Sequence, residues 1–136
     1  VSLPTRRSRV RTPLPAPKCL QVLKMSDLSK KKCIACNGDI PPFDKSEIHK
    51  YLKKVDGWDV KNNIDGSFYL IKDFKFKNFK ESQNFVNKVS NIAEEENHHP
   101  DIFFGWGYCK IKIFTHAIKG LAESDFILAA KIDKIN

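Results

Sequence analysis

Arginine is missing from almost the whole chain: the four that occur are Arg6, Arg7, Arg9 and Arg11, and none follows. Acidic residues are missing from the opposite side of that boundary, with no Asp or Glu in residues 1–24. No apolar run approaches the roughly 20 residues that a membrane-spanning helix needs, so a helical membrane protein is excluded. Cysteine is scarce, at four residues, too few for a small fold stapled by disulfides. There is no second CxxC to complete a four-cysteine zinc site, no HExxH, and no internal repeat. A chain of 136 residues with 41% hydrophobic and 29% charged residues is what remains: one globular domain with a modest core.

The formal charge of +8 divides unevenly. Residues 1–24 carry six basic residues and no acid. The rest holds 18 lysines against all 16 acids and is nearly balanced. A nucleic-acid binder concentrates basic charge on a structured face interleaved with aromatics; here the excess sits in a proline-spaced tail, so direct nucleic-acid binding is not expected. Four of the seven prolines fall in that tail, which shows no hydrophobic period. It is expected to be a disordered or peripheral extension, either an organelle-targeting leader or an extension of non-native coding origin ahead of Met25. A cytoplasmic protein with reduced cysteines is expected, an organelle being the alternative if residues 1–24 are a leader.

Residues 25–45 contain Cys33-Ile34-Ala35-Cys36 among turn signals, Asn37-Gly38 and Pro41-Pro42. A lone CxxC is half a zinc site or a redox pair, and a loop without metal is the plainer expectation. Residues 46–136 then form the folded domain. Asp44 or Ser46 caps a helix to about Val55, with Ile48, Leu52 and Val55 inward. Trp58 and Val60 begin a strand. Residues 67–77 alternate, with Phe68, Leu70, Phe74 and Phe76 on one side. A long helix from about Phe79 to Asn97 presents Phe85, Val89, Ile92 and Ala93, and Pro100 is expected to stop it. Strands through Ile102 to Trp106 and Cys109 to Phe114 form a hairpin, and a last helix runs from about Glu123 to Lys134. The order α-β-β-α-β-β-α, with hairpins rather than crossovers, predicts an α+β protein: a single four-stranded antiparallel sheet with three helices packed on one face.

Three of the four histidines, His98, His99 and His116, lie within nineteen residues. Imidazole is the side chain best suited to moving protons near neutral pH. A histidine at a helix end is, in isolation, most often a surface cap. Three imidazoles can also hold zinc, but adjacent histidines at a helix end diverge, so no metal is expected.

The pattern Glu94, three residues, His98-His99-Pro100, Trp106, His116, Asp125 resembles the pterin-4a-carbinolamine dehydratases, also described as dimerisation cofactors of a homeodomain transcription factor. Trp58, Phe74-x-Phe76-x-x-Phe79, Thr115-His116 and Gly120-Leu121 match as well. The similarity covers Ser46 to Ile135, and more loosely the Cys33/Cys36 segment. Ala122 stands where a Ser or Thr often caps the last helix, and Ser124 where a basic residue often precedes the Asp.

The resemblance implies dehydration of a 4a-hydroxytetrahydropterin to the quinonoid dihydropterin in tetrahydrobiopterin recycling, with no cofactor and no metal. His98 and His116 would be the acid–base pair and His99 would hold the pterin. Glu94, one helical turn before His98, is expected to meet it and fix its tautomer. Trp106 is expected to wall the pocket and join the core, and Asp125 to cap the last helix or position a histidine. Glu95 and Glu96 are expected to be solvated, and His49 to lie on the surface. A homodimer or homotetramer is expected. The alternative is a non-enzymatic homo-oligomeric interaction partner, coactivator-like.

Overall fold

A computed structural model of the protein describes residues 27–34 and 38–136. Readings made for residues 1–26, Cys36 and Asn37 lie outside the described residues. Helix α1 spans Lys45–Leu52, and Asp44 rather than Ser46 caps it, accepting from Glu47 N at 2.8 Å. It ends three residues short of the expected Val55, because the apolar spacing continues there through single tight turns, Lys54 N to Tyr51 O and Val55 N to Leu52 O.

Strands β1 (Asp59–Asn62), β2 (Phe68–Lys75), β3 (Asp101–Gly105) and β4 (Tyr108–Ile113) form one antiparallel sheet in the order β1-β2-β4-β3. Its register pairs Leu70 with Ile113 and Phe74 with Cys109, so the alternating apolar residues of both strands fall on one face. That face is covered by α2 (Phe79–Glu96) and α3 (Glu123–Asp133), against which α1 packs, in a core that includes Phe85, Val89, Phe126 and Leu128. The expected architecture is the observed one.

Proline 100 does not end α2. Asn97 does, in the left-handed region at φ 51°. Asn97 N donates to Glu94 O at 3.2 Å and His98 N to Ala93 O at 3.0 Å, the paired bonds that satisfy the last helical carbonyls around a left-handed residue. Asparagine tolerates that conformation better than most side chains. This turn sets the direction in which His98 leaves the helix.

Helix α3 is not amphipathic. Seven consecutive residues, Ser124 to Ala130, are buried, which requires cover on both sides. The sheet and α2 supply one side. The other is supplied by the N-terminal segment, in which a 3-10 turn at Leu28–Lys30 lays the fully buried Leu28 against α3. Among the described residues no helix is long and apolar enough to cross a membrane.

Candidate active site

The site lies where the end of α2, the end of β4 and the start of α3 meet. β4 keeps its period of two past its last ladder bond, so Cys109, Ile111, Ile113 and Thr115 all point inward and are buried. Thr115 then pairs with Gly120 through two backbone bonds, of 2.9 and 3.3 Å, closing a small loop that carries His116. Gly120 has no room for a side chain: a Cβ there would meet Pro42 Cβ at 2.6 Å. Phe43 N donates to Leu121 O at 2.8 Å and holds the same strand of chain in place.

Asp125 is the centre of the arrangement. It is 0% exposed, and its two oxygens take three donors. Oδ1 lies 2.8 Å from His98 Nε2, while Oδ2 accepts from Thr115 Oγ1 and from Ala122 N, both at 2.8 Å. Asp125 therefore caps α3 and positions a histidine at once. Ala122 has no side-chain acceptor to offer, and the Asp125 N–H is met instead by the Ala122 carbonyl at 3.1 Å. With a carboxylate on Nε2, the tautomer of His98 that carries its proton there is favoured, which leaves Nδ1 with the lone pair.

The remaining residues are distributed less compactly. Glu94 does not meet His98. The left-handed turn at Asn97 carries His98 inward toward Asp125 and leaves His99 beside the outer face of α2, where its Nε2 lies 2.6 Å from Glu94 Oε1. That pair is exposed, with 77% of the Glu94 side chain and 56% of His99 open to solvent. His116 is exposed and its ring packs on Phe114, centroids 4.2 Å apart. It follows Thr115 directly, so His98, Asp125, Thr115 and His116 form one connected line. Trp106 is not part of the core. It is 72% exposed at the tip of the β3–β4 hairpin, where Gly107 supplies a positive φ of 78°. Asp101, next to the histidines, is at the other end of β3, so the hairpin separates Trp106 from them by roughly 15 Å at the rise of an antiparallel strand. His49 is exposed, as expected.

Two partners were not foreseen. Thr115 is one. Glu96 is the other: it is 7% exposed rather than solvated, accepting from Cys33 N and from Lys131 Nζ, each at 2.7 Å. Burial raises the Glu96 carboxyl pKa, but the Cys33 N–H and the Lys131 ammonium outweigh it and hold the group below its ordinary value. Cys33 donates its thiol to Ser124 O at 3.4 Å. Burial, with Glu96 beside it, pushes that thiol up to about 12, so it is neutral and unreactive as a nucleophile. Burial alone pushes Cys109 up to about 11. Among the described residues no three His, Cys, Asp or Glu side chains are grouped to hold a metal ion.

Fold and site together define a small α+β protein in which one imidazole, that of His98, is held by a buried carboxylate at one end of a single sheet. The chain belongs to the pterin 4 alpha carbinolamine dehydratase family, whose model matches residues 41–135. It is 47% identical over 111 residues to a protein of Rubrobacter xylanophilus, covering 82% of this chain and all of that one. A protein of Rickettsia canadensis is 48% identical over 110 residues, covering 80% of this chain and 97% of the other. Both are provisionally named pterin-4-alpha-carbinolamine dehydratases. Among solved structures, the transcriptional coactivator/pterin dehydratase of Brucella melitensis superposes with a TM-score of 0.62 at 30% identity, over 69% of this chain and 97% of that one.

Proposed function

We propose that the protein is a dehydratase that converts a 4a-hydroxytetrahydropterin to the quinonoid dihydropterin and water, in tetrahydrobiopterin recycling. The N5–H proton goes to a base, the C4a–OH bond breaks as its oxygen is protonated, and the electron pair left on N5 closes the C4a=N5 double bond. The step needs an acid and a base near one another and no redox partner. His98 serves as the base through Nδ1, and Asp125 compensates the charge that arrives on the ring, as a buried carboxylate does behind a catalytic imidazole. His116 serves as the acid at the departing hydroxyl, and His99, steadied by Glu94, orients the pterin. The observation that carries this reading is the 2.8 Å contact between His98 and a carboxylate with no exposed surface.

Stopped-flow absorbance on synthetic carbinolamine tests it. Exchanging His98 or His116 for Ala should each lower turnover by about 10²–10⁴-fold with the fold intact. A double variant turning over at the unmodified rate would show that neither histidine carries the reaction.

We also propose self-association through the β3 edge. That strand ends the sheet, and Phe103, Phe104, Trp106, Tyr108 and the nearby Phe79 are all exposed around it. Unpaired edge groups beside aromatic surface are suited to pairing with another copy. This surface also favours the second reading, a coactivator-like interaction partner, and the dehydration assay distinguishes the two.

A further inference from the structure

Residues 27–34 run alongside α3 in the opposite direction. Leu28 is buried near Ala130 and Asp133, Lys31 Nζ pairs with Glu123 Oε1 at 2.6 Å, and Cys33 reaches Ser124 at the start of the helix. The strap therefore ends beside the residues that hold His98. A cavity of about 160 Å³ lies there, with Cys33 and Ile34 on one side and Glu96, His98, Thr115 and Ser124 on the other. Glu96 joins the two sides. Its carboxylate holds the strap through Cys33 N and α3 through Lys131, two residues before His98 in the chain.

We propose that this strap is the outer wall of the pterin pocket: Ile34, with the neutral Cys33 thiol, contacts the bound heterocycle, and Glu96 is the positioning residue that sets the strap over His98. The inference rests on the dehydratase reading of His98, which lines this cavity. Ile34 is 77% exposed and lines the cavity. An apolar side chain opposite an imidazole suits a flat ring whose polar edges are met elsewhere. Glu96 faces two donors. Exchange for Gln would turn an NH2 group toward one of them, and exchange for Ala would free the strap.

The wall acts on binding and His98 acts on chemistry, so the two separate in kinetics. Steady-state dehydration of synthetic carbinolamine is measured for I34A, E96A, H98A and I64A, together with binding of a non-reacting dihydropterin followed by fluorescence. Ile64, fully exposed at the β1–β2 turn, is a control of the same residue type. I34A should raise KM and the dihydropterin Kd by about three- to ten-fold, the usual effect of removing apolar contact from a pocket, with kcat within about twofold. E96A should do at least as much, and I64A nothing. If I34A leaves both KM and Kd unchanged while H98A abolishes turnover, the strap is no wall and the dehydratase reading stands. If H98A turns over normally, the assignment of His98 as the base is overturned; if the unmodified protein does not accelerate dehydration, the dehydratase reading itself is overturned. I34A keeps the test decisive even where E96A fails to fold.

Discussion

Asp125 has three donors and no solvent, so its substitution cannot be silent. Exchange for Asn leaves one acceptor oxygen where Asp offers two and places an NH2 group against a donor. One of His98, Thr115 and Ala122 then loses its partner inside the protein, at a cost of about 1–3 kcal/mol. D125N is expected to lower Tm accordingly and to lower kcat by about 10²-fold or more through a misaligned His98, measured by thermal melts beside the dehydration assay. Exchange of Glu94 for Gln is expected to differ in kind. Its pair with His99 is exposed, and such pairs contribute at most about 1 kcal/mol. Tm should hardly move, and any kinetic effect should fall on KM. A drop in kcat as large as that of D125N would return Glu94 to the acid–base machinery.

At the scale of elements, the order of helices and strands was legible because each carries a clean period: two in β2 and β4, 3.6 in α2. What escaped was what happens where a period ends. Thr115 continues the inward positions of β4, and Glu96 lies three residues beyond Ala93 on the stripe of Phe85 and Val89. Both positions are buried by that count, and a buried polar side chain needs a partner. The pairing of Glu94 with His99 instead of His98 followed from a single backbone state at Asn97, which no spacing rule supplies. Trp106 was placed in the pocket by its distance along the chain, whereas a hairpin tip moves such a residue away from both strand ends. The start of α3 offers a smaller test. A122S adds the missing cap, but the Asp125 N–H already has a carbonyl, so the gain should sit near the low end of the usual range, about 0.5 kcal/mol, read as a small rise in Tm.

At the scale of the whole molecule, the strap, α2 and α3 are held at one point by Glu96, which makes their assembly sensitive to acid. The carboxyl titrates below its ordinary value of 4.5 only in the folded protein. Its ionised form therefore stabilises folding above that value, and the contribution is lost as pH falls through the lower folded value. The Cys33 thiol stays neutral throughout this range, so it does not offset the loss. Melting curves between about pH 3 and 6 should show Tm falling more steeply for the unmodified protein than for E96Q, which has no proton to take up at that position. The same junction also makes the strap's motion observable without altering any residue. Among the described residues the Cys33 amide donates to Glu96, so its exchange with deuterated water reports each detachment of the strap, whereas amides in β4 wait for global unfolding. A Cys33 amide that exchanges orders of magnitude faster than its β4 counterparts, and slows when a dihydropterin is added, would give the opening frequency of the pocket in the resting protein.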